Sequence, residues 1–409
     1  MKVSVCILED SKGFLQETLE NIEGNEEYIN EIIYSGNTED LSGIDTDYDI
    51  KCLNINSENK AFLRNKLLEN ANNEYILWLK TGSILEEDTF EEYEEILEEF
   101  PDVDIIYPNE ILIDLNNEEN IKNFKDWYKN ELELLQGLTL EKYLPEFGVL
   151  TKKSIFEKFG KFDEEFEDYE FYRFLSLNLK NITLKLSEFS FTTNKITKTF
   201  IDTSFHSKNL RDLLKIYSME NELFPELNWK NEKIAKATAF SITAGKLKEY
   251  FDYYNAAEFY KKALLTFHNQ YSLKELIDTY MKMGEFEKAK YMLEEQGLKE
   301  KEILEYEEKI QNIEDIIDNL ESAVKEGKIK EVLSAVPDVL QFYEGAPIYN
   351  ILGVIHYIGK DMEGAFKFFY KAITMNPLND DYRQNLFDIA KLLNKEEKVN
   401  KLIQRLLSD

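Results

Sequence analysis

Cysteine, histidine, proline and positive charge are all scarce in this chain of 409 residues. Its two cysteines, Cys6 and Cys52, sit in apolar strand-like runs and cannot build a disulfide framework, so a reduced, cytoplasmic setting is expected. Three histidines beside two cysteines leave little material for a zinc site. No run approaches the ~18 apolar residues that a membrane span needs. The opening stretch Met1–Leu8 closes at Glu9-Asp10, too short for a signal-peptide core and without a small-residue cleavage site. Neither a Gly-x-Gly-x-x-Gly fingerprint nor a Gly-Lys-Ser/Thr loop occurs, which removes dehydrogenases, kinases and NTPases. Lysine and arginine number 49 against 80 acidic residues, a net charge of −31, and no basic stripe offsets it. Such a field repels nucleic acid and anionic lipid, and tolerates a small anion only in a locally positive pocket.

Aromatic residues are plentiful at 13%, within 43% hydrophobic residues, which excludes global disorder. At ~150 residues per domain the length implies two or three domains. Up to about residue 190, short β-branched runs alternate with amphipathic helices, the pattern of an α/β domain with a largely parallel sheet. Strands are expected at Val3–Leu8, Tyr28–Tyr34, Ile50–Ile55, Tyr75–Leu79, Phe147–Thr151 and Ile182–Leu186. Val103–Tyr107 and Glu110–Asp114 read as a strand pair around a Pro-Asn turn. Helices are expected through Leu15–Ile22, over Glu58–Asn70, Glu86–Phe100, Lys153–Phe159 and Glu167–Leu177. The acidic runs within Glu86–Glu95 have no Ca-loop spacing and read as a solvated helix face.

Beyond about residue 205 strand signals vanish. Tyr349, Leu352, Gly353 and His356, followed by Ala365, Phe369, Ala372 and Pro377, resemble the tetratricopeptide repeat, with His356 in an aromatic position. Small residues let two antiparallel helices approach, large ones fill the gap, and proline ends the second helix. Ala256, Tyr260 and Ala263 echo the second helix, and Tyr280, Gly284 and Ala289 echo the turn; Ala256 and Ala289 are 33 residues apart, against about 34 for this repeat. A further eroded helix pair is expected over residues 300–340. The division implied is an α/β domain over 1–210, a helical linker over 211–240 and an all-α repeat domain over 241–409.

Four stretches of the first domain resemble family 2 nucleotide-sugar glycosyltransferases. They are the opening βα unit Val3–Leu8 with Phe14–Ile22, the second strand and turn Glu31–Asp40, the helix Asn59–Asn65 leading through Ala71–Asn73 into Glu74–Leu79, and the segment Phe159-Gly160-Lys161-Phe162-Asp163-Glu164-Glu165-Phe166-Glu167-Asp168-Tyr169-Glu170. In the last, a glycine, an aromatic and two acid pairs all fall in register. The resemblance implies a GT-A fold, a nucleotide-sugar donor, and inverting transfer to an acceptor hydroxyl with Asp168 as base. Asp163 and Glu167 fall on the acceptor side, with Trp127, beside Tyr128, as an aromatic that stacks on a sugar or packs in a helix face. Arg64 and Asn65 fall beside the donor, with a purely structural role for Arg64 equally open, and His206 falls where such enzymes close over the donor. Trp78 reads as core.

Two departures stand out. The family carries Asp-x-Asp after its central strand, holding a divalent cation against the donor diphosphate; here the stretch is Leu79-Lys80-Thr81-Gly82-Ser83. The acidic pair after the second strand is replaced by Ser35-Gly36. A lysine cannot bind a cation, but its ammonium can face a diphosphate, with Thr81, Gly82 and Ser83 offering N–H and hydroxyl groups as an anion cradle. A solvated lysine on a domain that has lost donor chemistry fits the same residues. Three readings therefore stand: a metal-independent transferase acting on a polypeptide such as bacterial flagellin or a surface protein, an inactive scaffold whose repeats recruit partners, or a transferase with the same first domain whose acceptor is a cell-wall or capsule glycan. A homo-oligomer is compatible with all three.

Overall fold

The structure, a computed structural model, describes residues 1–10, 13–114, 116–124, 131–140, 144–195, 202–294 and 297–408. Two compact units make up the chain, Met1–Ile201 and Asp202–Asp409.

The first unit runs β1 (Val3–Leu8), α1 (Leu15–Ile22), β2 (Ile29–Tyr34), β3 (Ile50–Cys52), α2 (Lys60–Asn70), β4 (Tyr75–Lys80), β5 (Ile84–Leu85), α3 (Thr89–Glu99), β6 (Ile105–Ile113), β7 (Glu119–Lys122), α4 (Glu131–Leu140), β8 (Val149–Lys152), α5 (Ser154–Phe159), α6 (Glu170–Asn178) and β9 (Leu184–Lys195). One mixed sheet has the order β3-β2-β1-β4-β8-β6-β9-β5, with β7 also paired to β6. Strands β3, β2, β1 and β4 are mutually parallel, and β8 joins β4 to β6 by antiparallel pairing. Every residue of β1 is buried, as a central parallel strand covered on both faces requires. Ile7, Leu19, Ile22, Ile32, Leu77, Leu79 and Tyr93 pack into its core, and Trp78 is fully buried, as expected.

The expected strand pair around Pro108-Asn109 is instead one strand, β6. Pro108 falls where the β6–β9 register shifts between Tyr107 and Asn109, so its missing N–H leaves no gap in a regular ladder. Asn109 stitches the irregularity, accepting from Phe124 N at 2.8 Å and donating to the carbonyls of Ser187 and Glu188. The reversal comes later. The Asp114 carboxylate accepts from Asn116 N and Glu118 N, both at 2.8 Å, and Asn117 takes a φ of 62°, turning the chain into β7. The last strand runs to Lys195, well beyond Leu186. Residues Glu164–Tyr169, partly expected as helix, form a 3-10 segment, and α6 starts only at Glu170.

The described part of the second unit is helical throughout: α7 (Ser204–Ile216), α8 (Glu232–Glu249), α9 (Tyr253–Thr266), α10 (Gln270–Met283), α11 (Phe286–Leu293), α12 (Glu300–Lys325), α13 (Ile329–Phe342), α14 (Ala346–Ile358), α15 (Met362–Met375), α16 (Asp380–Leu393) and α17 (Glu396–Leu407). Sequence-adjacent helices pack together, α8 on α9, α9 on α10, α14 on α15 and α15 on α16. Side-chain caps start several of them: Asp252, Asn269, Asp361 and Asn379 each accept from a backbone N–H three residues on. The boundary at 201/202 precedes the expected 210, and residues 211–240 hold the end of α7 and the start of α8. α7 is tied to α17: the Arg405 guanidinium lies 3.7 Å above the Phe205 ring and donates to Ser204 Oγ at 3.0 Å, while Arg211 donates to the Arg405 carbonyl at 2.5 Å.

Gly353 allows the close approach of α14 and α15, since a Cβ there would meet the Phe369 ring at 2.5 Å. Gly245, within α8, has only Tyr260 Oη near, at 3.9 Å. Gly353→Ala is therefore expected to lower stability by about 1–3 kcal/mol through overpacking, and Gly245→Ala to raise it by about 0.4–1 kcal/mol. Urea denaturation followed by helical circular dichroism checks both signs; a shift of both variants in one direction contradicts the packing described.

Candidate functional site

The sheet brings the carboxyl ends of β1 and β4 side by side, with Leu8 opposite Lys80. β1 is followed in sequence by β2 on one flank, while β4 lies on the other, so the chain diverges from this point and leaves a crevice at the strand ends. Glu9 and Asp10 extend β1 into it.

Asp10 is the hub. Its side chain is 3% exposed; one oxygen lies 3.3 Å from Lys80 Nζ and the other 3.7 Å from Lys60 Nζ. Lys80 also donates to the Lys195 carbonyl at 2.6 Å, and both ammonium groups lie near the Phe147 ring. Burial pushes Lys80 below the ordinary lysine range and Lys60 adds to this, while Asp10 and Glu146 oppose it. Lys60 goes the other way. Burial pulls it down, but the carboxylates of Glu146, Asp10, Asp168 and Glu170 together outweigh burial and raise it. The charges of Lys80, Asp10, Lys60 and Asp168 therefore belong to one electrostatic cluster.

Ser35 and Thr81 shape the hub. Ser35 Oγ accepts from Glu9 N at 2.9 Å, and Thr81 Oγ1 accepts from Asp10 N at 3.1 Å. The N–H groups expected to cradle an anion are all committed within the fold: Thr81 N to the Leu8 carbonyl, Gly82 N to Thr18 Oγ1 and Ser83 N to the Lys80 carbonyl. Thr81-Gly82-Ser83 thus holds the end of β4 in place and forms no anion cradle. Gly82, at a φ of 85°, makes the turn, and Ser83 Oγ donates to Asn194 Oδ1 at 2.7 Å.

Arg64 is fully buried, which decides between its two readings in favour of structure. Its Nε donates to Glu170 Oε1 at 2.6 Å, its Nη2 to the Glu146 carbonyl at 3.2 Å, and Trp78, Phe147, Phe162 and Phe171 surround the guanidinium. Burial pushes the Glu170 carboxyl up, to about 7, against the pull of Arg64. Asn65 is likewise no donor contact: it exchanges two 3.0 Å hydrogen bonds with the backbone of Phe162 and donates to Glu164 Oε1. These two residues of α2 clamp the acidic segment.

Within that segment Asp163 accepts from Glu165 N at 3.1 Å. Glu167 takes φ 31° and ψ −95°, a backbone conformation that costs a non-glycine residue about 1–3 kcal/mol. Buried Phe166 and Tyr169 pin both sides of it, with the Arg173 guanidinium 4.4 Å above Phe166. Asp168 follows, exposed. Strain of this kind persists where surrounding contacts over-determine it, and it concentrates at working sites. His206 lies in α7 of the second unit, buried, with its ring 5.2 Å from that of Tyr250. Trp127 and Tyr128 lie outside the described residues.

Asp10, Lys60, Glu110 and Glu146 were not foreseen. Glu110, on β6, accepts from Asn194 Nδ2 at 3.1 Å, and burial raises it to about 7; Asn194 and Lys80 oppose the shift and Glu146 adds to it. The only sequence signal for Asp10 was an acidic pair directly after β1. A divalent cation does not fit the stretch Leu79–Ser83, where the resembling family carries Asp-x-Asp. Lys80 stands there, and the nearest carboxylate, Asp10, already faces two ammonium groups. No group of three or more His, Cys, Asp or Glu suited to a metal occurs among the described residues.

No protein-family model matches the chain, and no curated protein matches it. Among solved structures it is similar to S. aureus TarS 1–349 in complex with UDP-GlcNAc, with 13% identity, 70% of this chain and 92% of that one covered, and a TM-score of 0.43. It is also similar to the longer S. aureus TarS structure, with 13% identity, 69% of this chain and 54% of that one covered, and a TM-score of 0.39.

Removing Arg64 leaves the Glu170 charge buried and unpaired. Arg64→Ala is expected to lose about 3–5 kcal/mol of stability, and Arg64→Met combined with Glu170→Gln markedly less. Glu110 gives a pH signature. Its pKa is raised on folding, so the folded chain holds more protons than the unfolded one between about pH 4.5 and 7. Stability at this site therefore falls as pH rises through that window. Glu110→Gln should gain on the natural chain by about 1–2 kcal/mol across it, and parallel stability curves for the two proteins would contradict the burial argument.

Proposed function

We propose that the chain is a glycosyltransferase moving a sugar from a nucleotide diphosphate donor to a hydroxyl of a polypeptide, with inversion. The observation that carries this reading is the Lys80–Asp10–Lys60 cluster at the carboxyl ends of β1 and β4, within electrostatic reach of Asp168. In an open α/β sheet this crevice is the natural ligand position.

The chemistry needs a base and a sink for negative charge. The acceptor oxygen forms a bond to the anomeric carbon while the bond to the diphosphate oxygen breaks, and the electron pair leaves with the diphosphate. Asp168 takes the hydroxyl proton, which general-base catalysis values at about 10²–10⁴-fold. The Lys80 ammonium, fixed by Asp10, faces the departing diphosphate and supplies preorganised positive charge. Asp163 and Glu167 complete the acceptor side. The helical unit, with tetratricopeptide-like pairs, suits an extended polypeptide acceptor, for which bacterial flagellin or a surface protein is the architectural analogy. No helix among the described residues is long and apolar enough to cross a membrane, and a cytoplasmic site of action is part of the proposal.

One observation favours the rival, a GT-A-like binding module without turnover. Lys80 and Asp10 already satisfy each other, and the N–H groups of the neighbouring turn are committed. A panel of uridine and cytidine diphosphate sugars, with and without manganese, separates the two. The transferase reading expects a thermal shift and slow donor hydrolysis, both insensitive to chelator. Lys80→Ala and Asp168→Asn should each lose about 10²-fold or more in turnover. Because burial lowers Lys80, activity should fall with rising pH before the ordinary lysine range is reached. No shift and no hydrolysis with any donor leaves the binding module.

A further inference from the structure

The crevice that the transferase reading gives to the donor is crossed by the protein's own chain. The last residues of β9 run over the turn that follows β4. Thr193 pairs with Ile84 of β5, Asn194 Oδ1 accepts from Ser83 Oγ at 2.7 Å, and the Lys195 carbonyl accepts from Lys80 Nζ at 2.6 Å. The Lys195 side chain then passes Gly82, where an added Cβ would lie 4.0 Å from Lys195 Cδ and 3.4 Å from Phe14 Cβ. Past Gly82 it reaches the start of α1. Its ammonium bonds both Glu17 oxygens, at 2.8 and 3.1 Å, and lies 4.6 Å from the Phe14 ring. Lys195 is thus fastened twice, by its backbone to Lys80 and by its side chain to α1.

These fastenings are weaker than those just upstream. Asn194 is buried and bonded on both sides, to Ser83 and to Glu110. Lys195 ends β9, opposite Ile113 of β6. The Lys195 and Glu17 side chains are 30% and 40% exposed, and a solvated ion pair of this kind opens readily. Lys80, by contrast, is 9% exposed, and a buried ammonium is costly unless its N–H groups are bonded. Asp10 meets part of that need at 3.3 Å, and the Lys195 carbonyl makes the shorter contact. A carbonyl is a neutral acceptor. A diphosphate oxygen is an anionic one, and a hydrogen bond between two ionised groups is roughly twice as strong as a neutral one. The anion therefore outcompetes the carbonyl for the same ammonium.

We propose that the end of β9 is an autoinhibitory latch on this crevice. The Lys195 carbonyl holds the Lys80 ammonium until a diphosphate oxygen displaces it, and the Lys195–Glu17 pair sets how firmly the latch is shut. The proposal rests on the reading of Lys80 as the cation that faces the donor diphosphate. A ligand that binds only the open form has its apparent affinity reduced by the fraction of molecules that are open, so loosening the latch tightens binding.

Uridine diphosphate is titrated into the full chain in chelator, for the natural sequence, Glu17→Gln, Lys195→Met and the two combined. Glu17→Gln removes a negative charge near the crevice and Lys195→Met a positive one, so charge alone predicts opposite effects on an anion. The latch predicts one effect: each variant binds about two- to five-fold tighter, and the combination gains no more than the larger single step, because both open one pair. Lys195→Arg keeps the pair and should bind as the natural chain does. A fold damaged by substitution does not gain affinity, so the direction of the change separates the latch from a merely structural contact. Unchanged affinity in both single variants, weaker binding by Lys195→Met, or gains that add in the combination overturn the latch and leave the transferase reading in place. Binding by the loosened variants alone supports the latch, and binding by none of the proteins overturns both.

Discussion

A single carboxylate between two lysines organises the first unit's crevice. Asp10 lies two residues beyond β1, whose every residue is buried, and its two oxygens address Lys80 from β4 and Lys60 from α2. Hydrogen bonds around it fix the backbone that carries Asp10 and Lys80. Ser35 and Thr81 fix the backbone of Glu9 and Asp10; Ser83 fixes the backbone of Lys80; Asn194 links Ser83 to Glu110. Burial pushes Lys80 down and the Asp10 carboxylate opposes it, and this lysine stands at the position where the resembling family places a metal-binding pair.

The acid-rich segment is positioned by a second buried pair. Arg64 and Glu170 face each other with nothing exposed, and Asn65 fastens the loop that leads to Asp168. An aromatic wall of Trp78, Phe147, Phe162 and Phe171 around the guanidinium lowers the local dielectric and strengthens both the pair and the penalty for breaking it. The strained turn at Glu167 is sustained by this rigidity. Two ion pairs of different kinds therefore divide the labour: one presents charge at the strand ends, and the other locks the frame that carries the acid.

Much of this was legible in sequence, and the rest was hidden for identifiable reasons. Hydrophobic runs of the right length marked β1, β2 and β4, because strands buried on both faces leave an unbroken apolar signal. The small residues Gly353, Ala365 and Ala372 marked a helix pair, because close approach leaves no other choice of side chain. Pro108-Asn109 misled, since a local turn signal was overridden by pairing with β9. Asp10 was invisible as a partner of Lys80 because the two meet only through the parallel register of β1 and β4. Thr81, Gly82 and Ser83 resembled an anion cradle by composition, but composition does not reveal where backbone N–H groups are already bonded. Arg64 and Asn65 were recognised as a motif, while their burial, which makes them clamps, depends on residues 97–106 positions away.

The central claim is that a lysine's fixed charge does here what a bound divalent ion does in the resembling enzymes. Calorimetric titration of uridine diphosphate into the full chain, once in chelator and once in manganese, tests it most directly. The account predicts saturable binding of the same affinity in both buffers. Binding that appears only when manganese is present would contradict it.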